Sequence, residues 1–160
     1  MEKTILLLGH PDLYEVCSEV TEEELPWMGE VKEDLKDTLL AFRKRYGVGR
    51  AIAAPQIGVK KRVIYRHLDT PVLFINPRLE FPDKEEMEVM DDCMSFPDLL
   101  VRVRRYKRCI IHYRDEHWKE CSLAFEGDMA ELIQHEYDHL DGILATMRAI
   151  DDRAFVMKEH

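Results

Sequence analysis

The chain has 160 residues, 46% of them hydrophobic and 34% charged, with seven glycines and seven prolines, enough to bury one ordinary core in a globular composition. Its formal net charge is −9, which argues against nucleic acid as the main partner, because phosphate binding needs a clustered positive surface. No apolar run approaches the ~20 residues of a membrane-spanning helix, so no membrane partner is expected.

The opening stretch MEKTILLLGHP has an apolar run too short for a signal peptide, followed by a polar histidine and a proline, and a cytoplasmic protein is expected. TILLLG reads as a short buried strand or extended segment ending in a Gly-His-Pro turn. From about residue 28 to residue 46, Val31, Leu35, Leu39 and Phe42 recur at helical spacing with charges between them. Gly47 follows a last turn rich in Arg43, Lys44 and Arg45, the expected way for a helix to stop. A long amphipathic helix is predicted there.

Short β-like runs come next: KRVIYRHL, VLFINPRLE, LLVRVRRYKRCIIHYR and ECSLAFEG. DEHW, residues 115–118, reads as a hairpin connection. VRVRRYKR, residues 101–108, is the one basic cluster, its cations interleaved with valines and a tyrosine as on a strand with one solvated face. Residues 128–140 are again helical in pattern. Helix, several antiparallel strands, then helix predicts an α+β fold, with antiparallel sheets around the second helix. No repeat or linker divides the chain, so a single domain over residues 1–160 is expected.

That second helix carries QHEYDHLDG. On a helix, residues four apart share a face, so His135 and His139 can present two imidazoles to one ion, with Glu136 beside them to handle a proton. Two ligands are too few for a tight site. The long zinc-protease motif would place a third histidine where Ala145 stands, which disfavours a metalloendopeptidase. Four cysteines in a cytosolic chain favour free thiols or metal ligands over disulfides. Cys17 sits in an acidic segment without turn chemistry, while Cys109 and Cys121 lie in strand-like runs as small hydrophobes. Cys93 differs, lying in VMDDCMSFPDLL where a strand breaks into a turn.

Three segments, in order and at the right spacing, resemble the signature motifs of peptide deformylases: GVGRAIAAPQIG (residues 47–58), DDCMS (91–95) and QHEYDHLDG (134–142). HPDLYEVCSEV, INPRLE and the Val103-x-Arg105 pair extend the likeness over most of the chain. The resemblance implies Cys93, His135 and His139 as ligands of one divalent metal ion with water in the fourth position. It implies Fe(II) in the cell, with Zn(II) or Ni(II) as isolated. It implies Glu136 as general base and acid, with the Gln56 amide and the Met94 backbone N–H stabilising the oxyanion. The implied reaction removes the formyl group from the N-terminal formylmethionine of nascent polypeptides near the ribosome; the oligomeric state is left open, with a monomer favoured.

The resemblance also places Val48, Gly49, Arg50, Ala51, Asp92 and Leu132 around the substrate, and pairs Asp91 with Arg105 as support. Two positions depart from the family pattern. Ala51 stands where glycine is usual, and is expected to be β-like rather than to need φ > 0. Asp91-Asp92 replaces Glu-Gly, so Asp92 either puts a negative charge beside the ligand cysteine, disfavouring acidic peptides, or points to solvent. The alternatives left open are a deformylase-like amidase for another formylated or acylated amine, and a non-catalytic metal-binding homologue.

Overall fold

A computed structural model describes residues 1–159; His160, the last residue of the expected domain span, lies outside the described residues. The chain starts in extended backbone. The Leu6 N–H donates to the Gln56 carbonyl at 2.8 Å and the Leu8 N–H to the Ser95 carbonyl at 2.9 Å. Because its partners are two loop carbonyls rather than a strand edge, TILLLG joins no sheet. Leu7 and Leu8 are exposed, so the segment is extended but not the buried strand that its apolar run suggested.

Helix α1, Leu25–Tyr46, begins three residues before its apolar periodicity does, with a proline in its first turn, where the missing N–H costs nothing. Its buried face is Met28, Val31, Leu35, Thr38, Leu39 and Phe42, and it ends at Gly47 with φ 76°. Then follow β1 (Ala51–Ala53), β2 (Val63–Arg66), β3 (Val72–Glu80), β4 (Glu86–Cys93), β5 (Phe96–Tyr106), β6 (Arg108–Arg114) and β7 (Glu120–Glu126). Helix α2 is Asp128–Leu140, and β8 (Phe155–Met157) closes the described chain. All strand pairs are antiparallel, in a five-stranded sheet ordered β1-β2-β3-β6-β7 and a three-stranded sheet ordered β4-β5-β8.

Side chains alternate across a strand, and here both faces of the larger sheet are covered. Val63, Tyr65 and Ile75 join the α1 face in one core, while Ile64, Phe74, Cys109 and Ile111 join Ala130, Ile133 and Leu140 of α2 in another. A third cluster, Cys93, Phe96, Val101, Val103 and Ala145, lies against the smaller sheet. α2 therefore sits between the two sheets. Gln134 fastens it: its Oε1 accepts the Tyr106 N–H at 2.9 Å and its Nε2 donates to the Tyr106 carbonyl at 2.7 Å.

The run LLVRVRRYKRCIIHYR is not one strand. It divides at Lys107, whose N–H donates to the Glu85 carbonyl, and its halves enter different sheets. In β5, Arg102 and Arg104 form the solvated face that was expected, while Val101, Val103 and Arg105 point inward. Cys109 is packed as a small hydrophobe, but Cys121 is only half-buried, because β7 is the outer strand of its sheet.

Candidate metal centre

Each element delivers one part of the site. Cys93 is the last residue of β4, at the turn that leads into β5. His135 and His139 stand one turn apart on α2, their ring centroids 5.1 Å apart. The Cys93 Sγ lies 3.3 Å from the His139 Nε2. Ligand atoms of Cys93, His135 and His139 all fall within 4.8 Å of one another, and all three residues are buried.

The donor set fits a metal ion. The His135 Nδ1 lies 3.0 Å from the Asp91 Oδ2, while its Nε2 is buried without a hydrogen-bond partner among the described residues. A carboxylate on one ring nitrogen fixes the tautomer that aims the other lone pair outward, the usual support of a metal-bound imidazole. Burial alone would depress the His135 imidazolium, yet the Cys93 thiolate and Asp91 raise its pKa well above the ordinary value. The pocket thus attracts positive charge at the point where an ion would bind. His139, lowered by burial and by His135, is a neutral nitrogen donor.

Behind the ligands lies a buried ion network. Burial opposes the charge on Asp91, but the hydrogen bond with His135 and the Arg105 guanidinium hold its carboxyl below the usual range. Arg105 joins Asp91 to Asp138, with a 2.7 Å bond to the latter. Arg148 completes the carboxylate of Asp138 at 2.6 and 3.0 Å.

Glu136 is buried, and its Oε2 has no hydrogen-bond partner among the described residues. Burial, reinforced by Asp91 and Asp92 and opposed by His135, pushes its carboxyl up to about 7, where a base can both take and return a proton near neutrality. Gln56 is held in one orientation. Its Oε1 accepts the Ala53 N–H at 3.0 Å, so its Nε2 must face the other way, 3.1 Å from the Ser95 Oγ and 3.5 Å from the Cys93 Sγ. The Met94 side chain is packed into the α1 core, which leaves its backbone as what it offers the site.

A cleft of about 660 Å³ opens onto these groups. Val48, Gly49, Arg50, Ala51, Asp92 and Leu132 all line it, as do Cys93, Met94, His135 and Glu136, whereas Gln56 and His139 stand behind its wall. Gly49 has φ 135°, and a Cβ there would meet the Leu39 Cδ1 at 3.2 Å, so a side chain would press into α1. Ala51 lies in β1, paired with Arg66, and has no positive φ; its methyl simply adds to the wall. Asp92 is half-exposed at the cleft and pairs with Lys158 at 3.2 Å. It is thus neither free in solvent nor an uncompensated charge.

Sequence reasoning missed Asp138, Arg148, Glu131 and Lys158. Asp138 lies three residues after His135 on the same helix, so its position offered a signal. Glu131, one turn before His135, is pushed up to about 8 by burial and by its contact with Asp91. Arg148 and Lys158 arrive from the turn after α2 and from beyond β8, with no local pattern to announce them.

A buried Cys-His-His set, open to a cleft and flanked by a carboxylate whose Oε2 has no partner among the described residues, has the make-up of a metallohydrolase site. The pattern of the polypeptide deformylase family matches residues 2–154. The peptide deformylase of Pseudothermotoga lettingae is 33% identical over 159 residues, covering 99% of this chain and 90% of the relative. That of Treponema pallidum is 36% identical over 147 residues, 91% of this chain and 86% of the relative. The crystal structure of the Thermotoga maritima peptide deformylase superposes with a TM-score of 0.85 at 28% identity, covering 94% of this chain and 99% of that one. The chain belongs to the polypeptide deformylase family, and it is a metal-dependent amide hydrolase of the α+β fold that the strand order describes. Among the described residues, no helix is long and apolar enough to cross a membrane.

Proposed function

We propose that this enzyme removes the N-formyl group from the N-terminal formylmethionine of nascent polypeptides, releasing formate. The observation that carries the mechanism is the Glu136 carboxylate: buried, without a partner on Oε2, and beside three converging ligand atoms at the floor of a cleft. A site built only to hold metal for stability would be closed by a fourth protein ligand and would need no base.

Cys93, His135 and His139 would hold one divalent ion, Fe(II) in the cell, with Zn(II) or Ni(II) accepted on isolation. When bound, that ion supplies a Lewis acid and acidifies a water molecule. Glu136 takes the proton from the attacking water and returns it to the leaving amine, so that the amide C–N bond breaks to formate and a free N-terminus. The Gln56 Nε2–H and the Met94 N–H meet the charge that develops on the formyl oxygen. Asp91, held by Arg105, keeps His135 in its ligating tautomer. Val48, Gly49, Arg50, Ala51, Asp92 and Leu132 receive the peptide. Such a substrate is met in the cytoplasm near the ribosome, and a monomer is the working form we favour.

The test is formate release from a short N-formyl-methionyl peptide by protein prepared without oxygen and loaded with Fe(II). Turnover by the wild type, with metal retained and activity lost in Glu136→Gln, is the expected result. Metal binding without formate would reject the reading.

A further inference from the structure

Charges crowd the cleft, and almost all are engaged. Asp91 is held by Arg105 and His135, and Asp92 by Lys158. The Arg43 guanidinium is spent on backbone carbonyls, binding Gly49 at 3.0 and 2.7 Å and His67 at 2.6 Å. Glu131 lies within the electrostatic reach of both Asp91 and Arg50, and Asp69 is exposed where it lines the cleft.

Arg50 is different. It is half-buried and lines the cleft, yet its guanidinium makes no hydrogen bond or ion pair with any described residue. It stands toward the reacting end, close enough for its charge to act on both Glu131 and Glu136. Its backbone is fixed on three sides. Arg43 grips the preceding carbonyl, the Arg50 carbonyl accepts the His67 N–H at 2.9 Å, and Ala51 begins the β1 ladder. A partly desolvated guanidinium without a partner is costly. Its planar fork of donors matches a carboxylate in two-point contact.

We propose that Arg50 is a specificity residue that binds a substrate carboxylate, so that the preferred substrates are N-formyl peptides with an acidic side chain on the formylated residue or the one after it. This rests on the deformylase reading given above: an acidic second residue narrows its formylmethionyl substrates, whereas an acidic formylated residue takes the place of the methionine. Lys158 makes such a substrate acceptable, because it offsets the Asp92 charge that would otherwise repel it. A neutral residue in the same place leaves Arg50 unpaired and gains nothing from it.

The experiment compares matched amidated peptides with the Fe(II)-loaded enzyme: formyl-Met-Glu against formyl-Met-Gln, and formyl-Glu-Ala against formyl-Gln-Ala. In the wild type, at least one glutamate peptide is expected to exceed its glutamine twin by about tenfold or more in kcat/KM, mainly through KM, with the advantage shrinking in high salt. In Arg50→Gln that ratio falls to near one, and in Arg50→Lys it is partly restored, with thermal melts confirming that both variants fold. Ratios near one in the wild type, or a preference that survives in Arg50→Gln, would overturn the proposal. Calorimetry with the corresponding formyl-free peptides reads the same preference without turnover. If no formylated peptide is hydrolysed, the deformylase reading fails, while binding still decides whether Arg50 selects a carboxylate.

Discussion

Glu136 and Arg105 are both buried ionisable residues of the site, but they answer to different physics. Glu136 keeps one oxygen without a partner among the described residues, so Glu136→Gln disturbs little of the fold and, on the proposed mechanism, removes the proton carrier. General base removal costs about 10²–10⁴ in rate, and the expected variant binds metal as the wild type does but loses turnover by that factor, checked by metal analysis beside formate release. Arg105 has the opposite role, since its guanidinium compensates Asp91 and Asp138 together. Arg105→Met leaves the buried Asp91 carboxylate without its guanidinium and Asp138 with Arg148 alone, and breaking such a buried pair costs about 3–5 kcal/mol. Because Asp91 orients His135, metal affinity should also fall, by about 10–100-fold for a lost support of this kind. Denaturant melts and metal titration measure the two losses separately. The cysteines divide in the same way: burial pushes the thiols of Cys17 and Cys109 up to about 11. A raised thiol pKa keeps the unreactive protonated form until the pH climbs toward it, so at pH 8 only about one molecule in a thousand carries the thiolate at either site. Half-buried Cys121 is therefore expected to be alkylated first in the metal-loaded protein, with peptide mass mapping giving the order.

At the level of elements, legibility followed length and locality. VLFINPRLE became β3 with the same ends, and residues 128–140 became α2, because each carries a full stretch of its own period. β1 and β8 are three residues long, too short for any period to register. The join between β5 and β6 was hidden because β-like residues continue on both sides of Lys107, and only the geometry of two sheets divides them. Likewise the histidine pair was readable because one helical turn spaces its members, whereas Lys158 reaches Asp92 only because β8 pairs with β5 at residues 99–101. One turn residue shows how tightly the elements meet. Gly142, just past α2, has φ 72°, and a Cβ there would lie 2.5 Å from the Tyr14 carbonyl oxygen. Gly142→Ala must pay for both the backbone conformation and the clash. It is expected to destabilise by about 2–4 kcal/mol, seen as a lower denaturation midpoint, and to loosen the end of α2 that carries His139.

The whole molecule draws its candidate site residues from different layers. Cys93 comes from the smaller sheet, His135 and His139 from the helix between the sheets, and Gln56 from the turn after β1 of the larger one. An ion held by Cys93, His135 and His139 cross-links the smaller sheet to α2 and balances the charge of a buried thiolate. Since such an ion binds the native arrangement and not the unfolded chain, free ion at a thousand times its dissociation constant adds about 4 kcal/mol of stability. For a chain of this size that is about 10 °C in melting temperature. Chelation is therefore expected to lower the melting temperature by about that amount and to abolish turnover, with both restored by reloading. Hydrogen exchange should localise the loosening. Amides at residues 93–96 and in the second half of α2 should lose protection, while β2 and β3, buried on both faces by α1 and α2, keep theirs. A melting temperature unmoved by chelation, or a loss of protection spread evenly over both sheets, would mean that the layers are held together without the ion.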